Sequence, residues 1–137
     1  MTDDDVIAIH RFLLMVARPA MRCEPDIEQS LLEIIRVTKY EAALMAVLDG
    51  NMVGTMGIMK ASWWYNPRVS FMTDRWHFVL PQFWHGPVDK ALKGEAIEIS
   101  RLAGFEFVDQ GKTREAKDGS LLMMPRIYPV PNLQRSA

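Results

Sequence analysis

The sequence predicts one mixed α/β domain with its elements in the order helix, helix, strand, strand, strand, helix, strand. Three observations predict it. Two amphipathic helical patterns come first. A turn signal, Asp49-Gly50, then sits between two apolar runs. Last comes the stretch Trp76 to Phe105, WHFVLPQFWHGPVDKALKGEAIEISRLAGF, which reads as strand, loop, helix and strand. This stretch organises the chain, because its helix starts directly behind a short loop. The first N–H groups of a helix are unpaired and carry a partial positive charge, which suits a phosphate or pyrophosphate in that loop.

The whole chain sets the bounds. Its 137 residues are about the size of one domain, taken as 1–137 with 129–137 a loose tail. Hydrophobic residues make up 49% and charged residues 24%, ordinary for a soluble globular protein. A formal net charge of −1 gives no bulk electrostatic case for nucleic acid or an anionic membrane. With a single cysteine, Cys23, no disulfide can form within the chain, which fits a reducing cytoplasm. Arg22 and Glu24 offer Cys23 no base, so it reads as a packed or surface thiol rather than a nucleophile. No apolar run approaches the roughly 20 residues that span a bilayer. Asp3-Asp4-Asp5 is the wrong charge for a signal peptide, so a cytoplasmic location is expected. The ten methionines read as fillers of irregular core volume.

The elements follow in order. Asp3-Asp4-Asp5 precedes the periodic set Val6, Ile9, Leu13, Val16 and Ala17, which predicts a helix from about Asp4 to Ala17, closed by Pro19. His10 on this helix has no His or Cys at metal spacing and reads as a surface or boundary residue; no metal is expected. Pro25-Asp26 opens a second helix with the stripe Ile27, Leu31, Ile34 and Ile35, ending near Thr38. Ala43 to Leu48 and Met52 to Lys60 read as strands around Asp49-Gly50-Asn51. Gly54 and Gly57 inside the second strand suggest a bulge or a close backbone approach, or small-residue packing. Trp63, Trp64 and Tyr65 cannot all enter one core from a strand, because successive side chains alternate faces. At least one is exposed, either as a wall for a substrate or at an interface. Asn66-Pro67 reads as a turn. Val69 to Leu80 reads as strand, broken near Thr73-Asp74.

The next helix begins at Pro87, where a missing N–H costs nothing, and stops at Gly104. Val88, Ala91, Leu92, Ala96, Ile99 and Leu102 share one face. Phe105 to Val108 reads as a strand. Over Lys112 to Met124, Thr113, Glu115 and Ala116 favour a helix, whereas Asp118-Gly119 would serve a hairpin turn; the helix is preferred.

The run Phe78-Val79-Leu80-Pro81-Gln82-Phe83, the helix carrying Ala91-Leu92, Glu95-Ala96 and Leu102-Ala103-Gly104-Phe105, and the hairpin AVLDGNMVGTMGIMK resemble the acyl-CoA-binding half of the GCN5-related N-acetyltransferases (GNAT). The resemblance implies a mostly antiparallel central sheet flanked by helices, with a final helix after the fourth strand; the family continues with two more strands, for which this chain has little room, so a short C-terminal lobe is expected. It implies acetyl-CoA as co-substrate, an unidentified amine as acceptor, and transfer by direct attack. Phe78, Val79 and Leu80 would face the pantetheine and thioester. Trp84, His85, Gly86, Val88 and Asp89 would form the pyrophosphate loop, which departs from the family's glycine pattern: Trp84 stands where Arg or Gln is usual, and Pro87 has no N–H. Trp63, Trp64 and Tyr65 would line the acceptor side. His77 would be the base, and Tyr128 the acid for the leaving thiolate. The altered loop and short C-terminus also resemble acetyltransferase-like proteins of phage genomes. A catalytically inactive binding or assembly protein on the same fold is therefore the alternative, and a homodimer is expected.

Overall fold

The computed structural model describes residues 1–16, 18, 21, 23–109, 113–115, 121–123 and 126–128. The elements are α1 (Asp3–Val16), α2 (Ile27–Tyr40), β1 (Ala42–Leu48), β2 (Asn51–Trp63), β3 (Asn66–Val79), α3 (Pro87–Ala103), β4 (Phe107–Asp109), β5 (Thr113–Glu115), β6 (Leu121–Met123) and β7 (Arg126–Tyr128). The fold is mixed α+β. Hydrogen-bonded neighbours run β1-β2-β3-β4-β7, with β1–β2 and β4–β7 antiparallel and β3–β4 parallel. The chain divides into two compact units, Met1–Met59 with Arg75–Lys93, and Lys60–Asp74 with Gly94–Ala137.

In the first unit, α1 starts at a reciprocal cap. The Thr2 hydroxyl accepts the Asp5 N–H at 3.2 Å, and the Asp5 carboxylate accepts the Thr2 N–H at 2.9 Å. This is a capping box with aspartate in the usual glutamate place. Asp26 caps α2 by accepting the Gln29 N–H at 3.0 Å. The second helix runs past its expected stop at Thr38 to Tyr40, where the Glu41 N–H closes on the Val37 carbonyl. Val6, Ile9, Phe12 and Leu13 of α1, Ile34 and Val37 of α2, and Trp76 of β3 form one buried cluster. Each such side chain contributes about 1.5–3 kcal/mol by burial. His10 is buried rather than at the surface, because Ser30 of α2 covers it, with Nε2 and Oγ 2.8 Å apart. Burial holds its imidazole below the usual histidine range.

Asp49 and Gly50 take φ of 51° and 80°, the left-handed pair of a tight two-residue hairpin. The β1–β2 register steps from Val47↔Met52 to Ala46↔Gly54, which leaves Val53 as a bulge residue beside the predicted glycine. Gly57 answers the other half of that expectation: a Cβ there would meet the Trp76 ring at 2.5–2.6 Å. The Trp76 indole N–H donates to the Thr55 hydroxyl at 3.1 Å, and that hydroxyl donates to the Leu44 carbonyl at 2.8 Å. One ring thus joins β1, β2 and β3.

In the second unit β3 does not break at Thr73-Asp74. Thr73 pairs with Val108 of β4, and its hydroxyl donates to the Val108 carbonyl at 2.7 Å, so the polar residue is absorbed into the sheet. The turn before β3 is Trp64-Tyr65, not Asn66-Pro67, which belong to the strand. Aromatic packing fixes it: the Trp63 ring lies 4.4 Å from Phe71 and 5.7 Å from Tyr65 between centroids. α3 stops as expected. Gly104 has φ 83°, and the Phe105 N–H returns to the Ser100 carbonyl at 2.9 Å.

The C-terminal expectation needs correcting. The segment preferred as a helix forms β5 and β6, paired antiparallel from Thr113↔Met123 to Glu115↔Leu121. Pairing between Thr113–Glu115 and Leu121–Met123 supplies these backbone groups with partners across the ladder, and it outweighs the weak local helix signal. β7 then joins β4, with Phe107↔Tyr128 and Val108↔Ile127, so three short strands follow β4 where a final helix was expected. The tail expected over 129–137 lies outside the described residues.

Gly57→Ala is expected to lower unfolding free energy by about 1–3 kcal/mol in urea denaturation, since the Trp76 ring has to move. Glu33 of α2 accepts hydrogen bonds from Arg36 (2.6 and 3.1 Å) and from Arg75 of β3 (3.1 Å), which hold its carboxyl down to about 2 from 4.5. A carboxyl lowered on folding adds stability above its unfolded value and loses it as pH falls through the folded one. Urea midpoints of Glu33→Gln should therefore lie below wild type at neutral pH and converge with it between pH 4.5 and about 2.

Candidate functional site

All parts of the candidate site lie in the first unit, where β3 ends and α3 begins. Trp76 and Phe78 face the α1–α2 cluster, and alternation turns His77 and Val79 to the other face. The strand end is held by its neighbour: the Leu80 N–H donates at 2.9 Å to the carbonyl of Val53, the bulge residue. A trans peptide then points the Val79 carbonyl to the opposite side, away from β2. That oxygen accepts the indole N–H of Trp84 at 2.7 Å. Gly54 permits the close packing here, because a Cβ would lie 3.1 Å from Leu92 Cδ1 and 3.2 Å from the Phe78 carbonyl and Val79 Cγ2.

The loop begins with a 3-10 turn, Pro81–Phe83, closed by Phe83 N–H to Leu80 O (2.8 Å) and Trp84 N–H to Pro81 O (3.2 Å). His85 then takes φ 60°. A left-handed backbone is usually given to glycine; here the glycine comes one residue later, and Gly86 does not use its freedom. Within the helix end, Lys90 N–H closes on Gly86 O at 3.2 Å. The N–H groups of His85, Gly86 and Val88 donate no hydrogen bond among the described residues. These are the orphan donors that a helix start presents to an anion.

Asp89, expected in the pyrophosphate loop, would oppose an anion if its carboxylate faced this helix start. Its carboxylate is turned inward instead. The residue is 6% exposed, with Oδ1 2.8 Å from His77 Nε2 and Oδ2 3.9 Å from Lys93 Nζ. The Lys93 ammonium at 3.9 Å offsets the negative charge that burial would otherwise penalise. The expected base and the expected loop acid therefore face each other beneath α3, and the His77 side chain is only 10% exposed. Lys93 was missed by sequence reasoning, although its spacing of four from Asp89 is the signal for a helical pair. The Val53 carbonyl and the Trp84–Val79 bond were also missed, and no local pattern encodes either.

The remaining candidates lie elsewhere. Trp64 is 91% and Tyr65 65% exposed at the β2–β3 turn, while Trp63 is half-buried against Phe71. Tyr128 stands in β7 opposite Phe107, and its side chain lies outside the described residues. A groove of about 440 Å3 between α1 and α2, lined by Val6, Ile7, Leu31 and Ile35 among others, contains none of the predicted site residues. Among the described residues no helix is long and apolar enough to cross a membrane, and no three His, Cys, Asp or Glu side chains group as metal ligands.

No family model matches the sequence, and no curated protein matches it either. Solved structures do match the fold. A GNAT family acetyltransferase from Brucella melitensis, solved in complex with acetyl-CoA, matches with TM-score 0.62 at 15% identity over 94% of this chain and 92% of that one. A GNAT family acetyltransferase from Staphylococcus aureus gives 0.61 at 11% identity over 84% of each chain. An aminoglycoside acetyltransferase from an uncultured soil metagenomic sample gives 0.57 at 16% identity over 86% of this chain and 77% of that one. The chain therefore has the fold of the GCN5-related N-acetyltransferases.

The left-handed residue of the loop can be tested directly. His85→Gly is expected to raise stability by up to about 1 kcal/mol, because the relief of a side chain at positive φ exceeds the entropy lost. His85→Val, β-branched at the same φ, is expected to lower it by about 1 kcal/mol or more in the same urea titration.

Proposed function

We propose that this protein is an acyl-CoA-dependent N-acetyltransferase that moves an acetyl group from acetyl-CoA to an amine. The observation that carries the reading is the mouth of α3. Three backbone donors, of His85, Gly86 and Val88, stand there with no acceptor among the described residues, and the one acidic side chain of the first turn is buried against His77. The fold shared with a neighbour solved with acetyl-CoA supports the same co-substrate here. In this reading the pyrophosphate sits on those donors, with the exposed His85 imidazole beside it. The pantetheine arm runs along the end of β3, on the side facing away from β2.

The thioester carbonyl then lies near Phe78 to Leu80. The acceptor ammonium loses a proton to water, and the neutral amine attacks the carbonyl carbon. The new C–N bond forms, the nitrogen of the tetrahedral intermediate gives up a proton to water, the intermediate collapses with the C–S bond breaking, and the departing CoA thiolate takes up a proton from water. Proximity, orientation and polarisation of the carbonyl supply the rate, so no covalent nucleophile is required. His77, buried on Asp89, acts as a positioning residue for the first turn of α3 rather than as the base expected from sequence. An acetyl-CoA-dependent reaction fits the cytoplasmic location that the composition suggests.

Calorimetry with acetyl-CoA tests this. Wild type is expected to bind, and Gly86→Glu to bind at least about tenfold more weakly, as a carboxylate placed at a helix N-terminal anion site should. The variant is built to fold: Gly86 is not left-handed, and a Cβ there meets only Phe83 O at 3.4 Å and Trp84 O at 4.0 Å. No binding at millimolar acetyl-CoA, by folded wild type or by a folded Trp84→Phe variant, would overturn the reading.

A further inference from the structure

We infer that Trp84 occupies, in the free protein, the backbone acceptor that the pantetheine arm of acyl-CoA takes on binding, so that its indole must leave before the co-substrate seats. This rests on the acyl-transfer reading above. The Leu80 N–H is taken by Val53 O at 2.9 Å, so the Val79 carbonyl is the last strand acceptor of β3 directed away from β2. A strand acceptor on an open side seeks an N–H. Five residues on, the Trp84 indole supplies one at 2.7 Å. The indole is a poor permanent partner, because its residue is 59% exposed and little burial holds it in place. Its own N–H is tied only to Pro81 O at 3.2 Å, within the loop.

The pantetheine arm is an extended chain with two secondary amides, each carrying the same kind of donor as a peptide. Laid along a strand side, such a chain adds to it as a further strand would. Its amide N–H and the indole N–H then compete for one oxygen in one direction. Exchange of one neutral hydrogen bond for another makes the competition modest, a matter of several-fold in affinity.

Trp84→Phe keeps a ring and deletes the donor. Calorimetry is expected to show acetyl-CoA binding about 3- to 10-fold more tightly to this variant than to wild type. The nucleotide half of CoA alone, which lacks the arm, should show no such gain on the substitution. Saturating wild type with acetyl-CoA should also shift its tryptophan emission by an amount absent from the variant, since Trp63, Trp64 and Trp76 are common to both. Trp84→Ala gives the same comparison should the phenyl ring itself obstruct the arm. Equal or weaker binding of acetyl-CoA by both folded variants, with wild type binding, would overturn the inference and leave the acyl-transfer reading standing. Failure of every form to bind overturns that reading as well.

Discussion

A tryptophan laid against a glycine holds the first unit together. The Trp76 ring fills the space a Gly57 side chain would need, and its N–H is met by Thr55. Trp76 belongs to the same buried cluster as Ile9, Phe12, Ile34 and Val37 of the two helices. The ring therefore fixes how close β3 comes to β2 and what covers both. Any residue larger than glycine at 57 would lift it away from the strand. A smaller ring would leave a void beneath two helices, with the cost of a cavity added to the lost burial.

That seating has a consequence on the opposite face. With Trp76 inward toward the helices, alternation sends His77 toward α3, and Asp89 of its first turn meets it. An aspartate in a helix first turn normally faces the same donors an anion would use. Here it is withdrawn to the strand, and the donors at the loop are taken by no acceptor among the described residues. The bulge at Val53 works in the same place. By supplying the carbonyl that holds Leu80, it decides which side of β3 the Val79 carbonyl must face.

Much of this was legible in the sequence, and for identifiable reasons. α1, α2 and α3 appear within one or two residues of their predicted limits because apolar spacing, Asp26 and Gly104 are local signals. Asp49-Gly50 turned the chain as such a pair should. The break predicted at Thr73-Asp74 did not occur, because a polar pair reads as a loop only until a partner strand takes up its hydroxyl. The helix preferred over 112–124 failed for a similar reason. Its weak propensities were outweighed by pairing between Thr113–Glu115 and Leu121–Met123, which no local window contains.

The sequence by itself determined the order of the elements through β4, the helix whose start faces a short loop, and the residues of that loop. These follow from periodicity, caps and turn residues, which act within a few positions along the chain. Only the tertiary structure decided how the site residues are used. That Asp89 turns to His77, that Trp84 reaches Val79, and that histidine rather than glycine takes the left-handed position are contacts and strains set by the packing of β2, β3 and α3. The distance across a strand or between a helix and a loop is not written in residue spacing, and the direction of a side chain at such a junction depends on it.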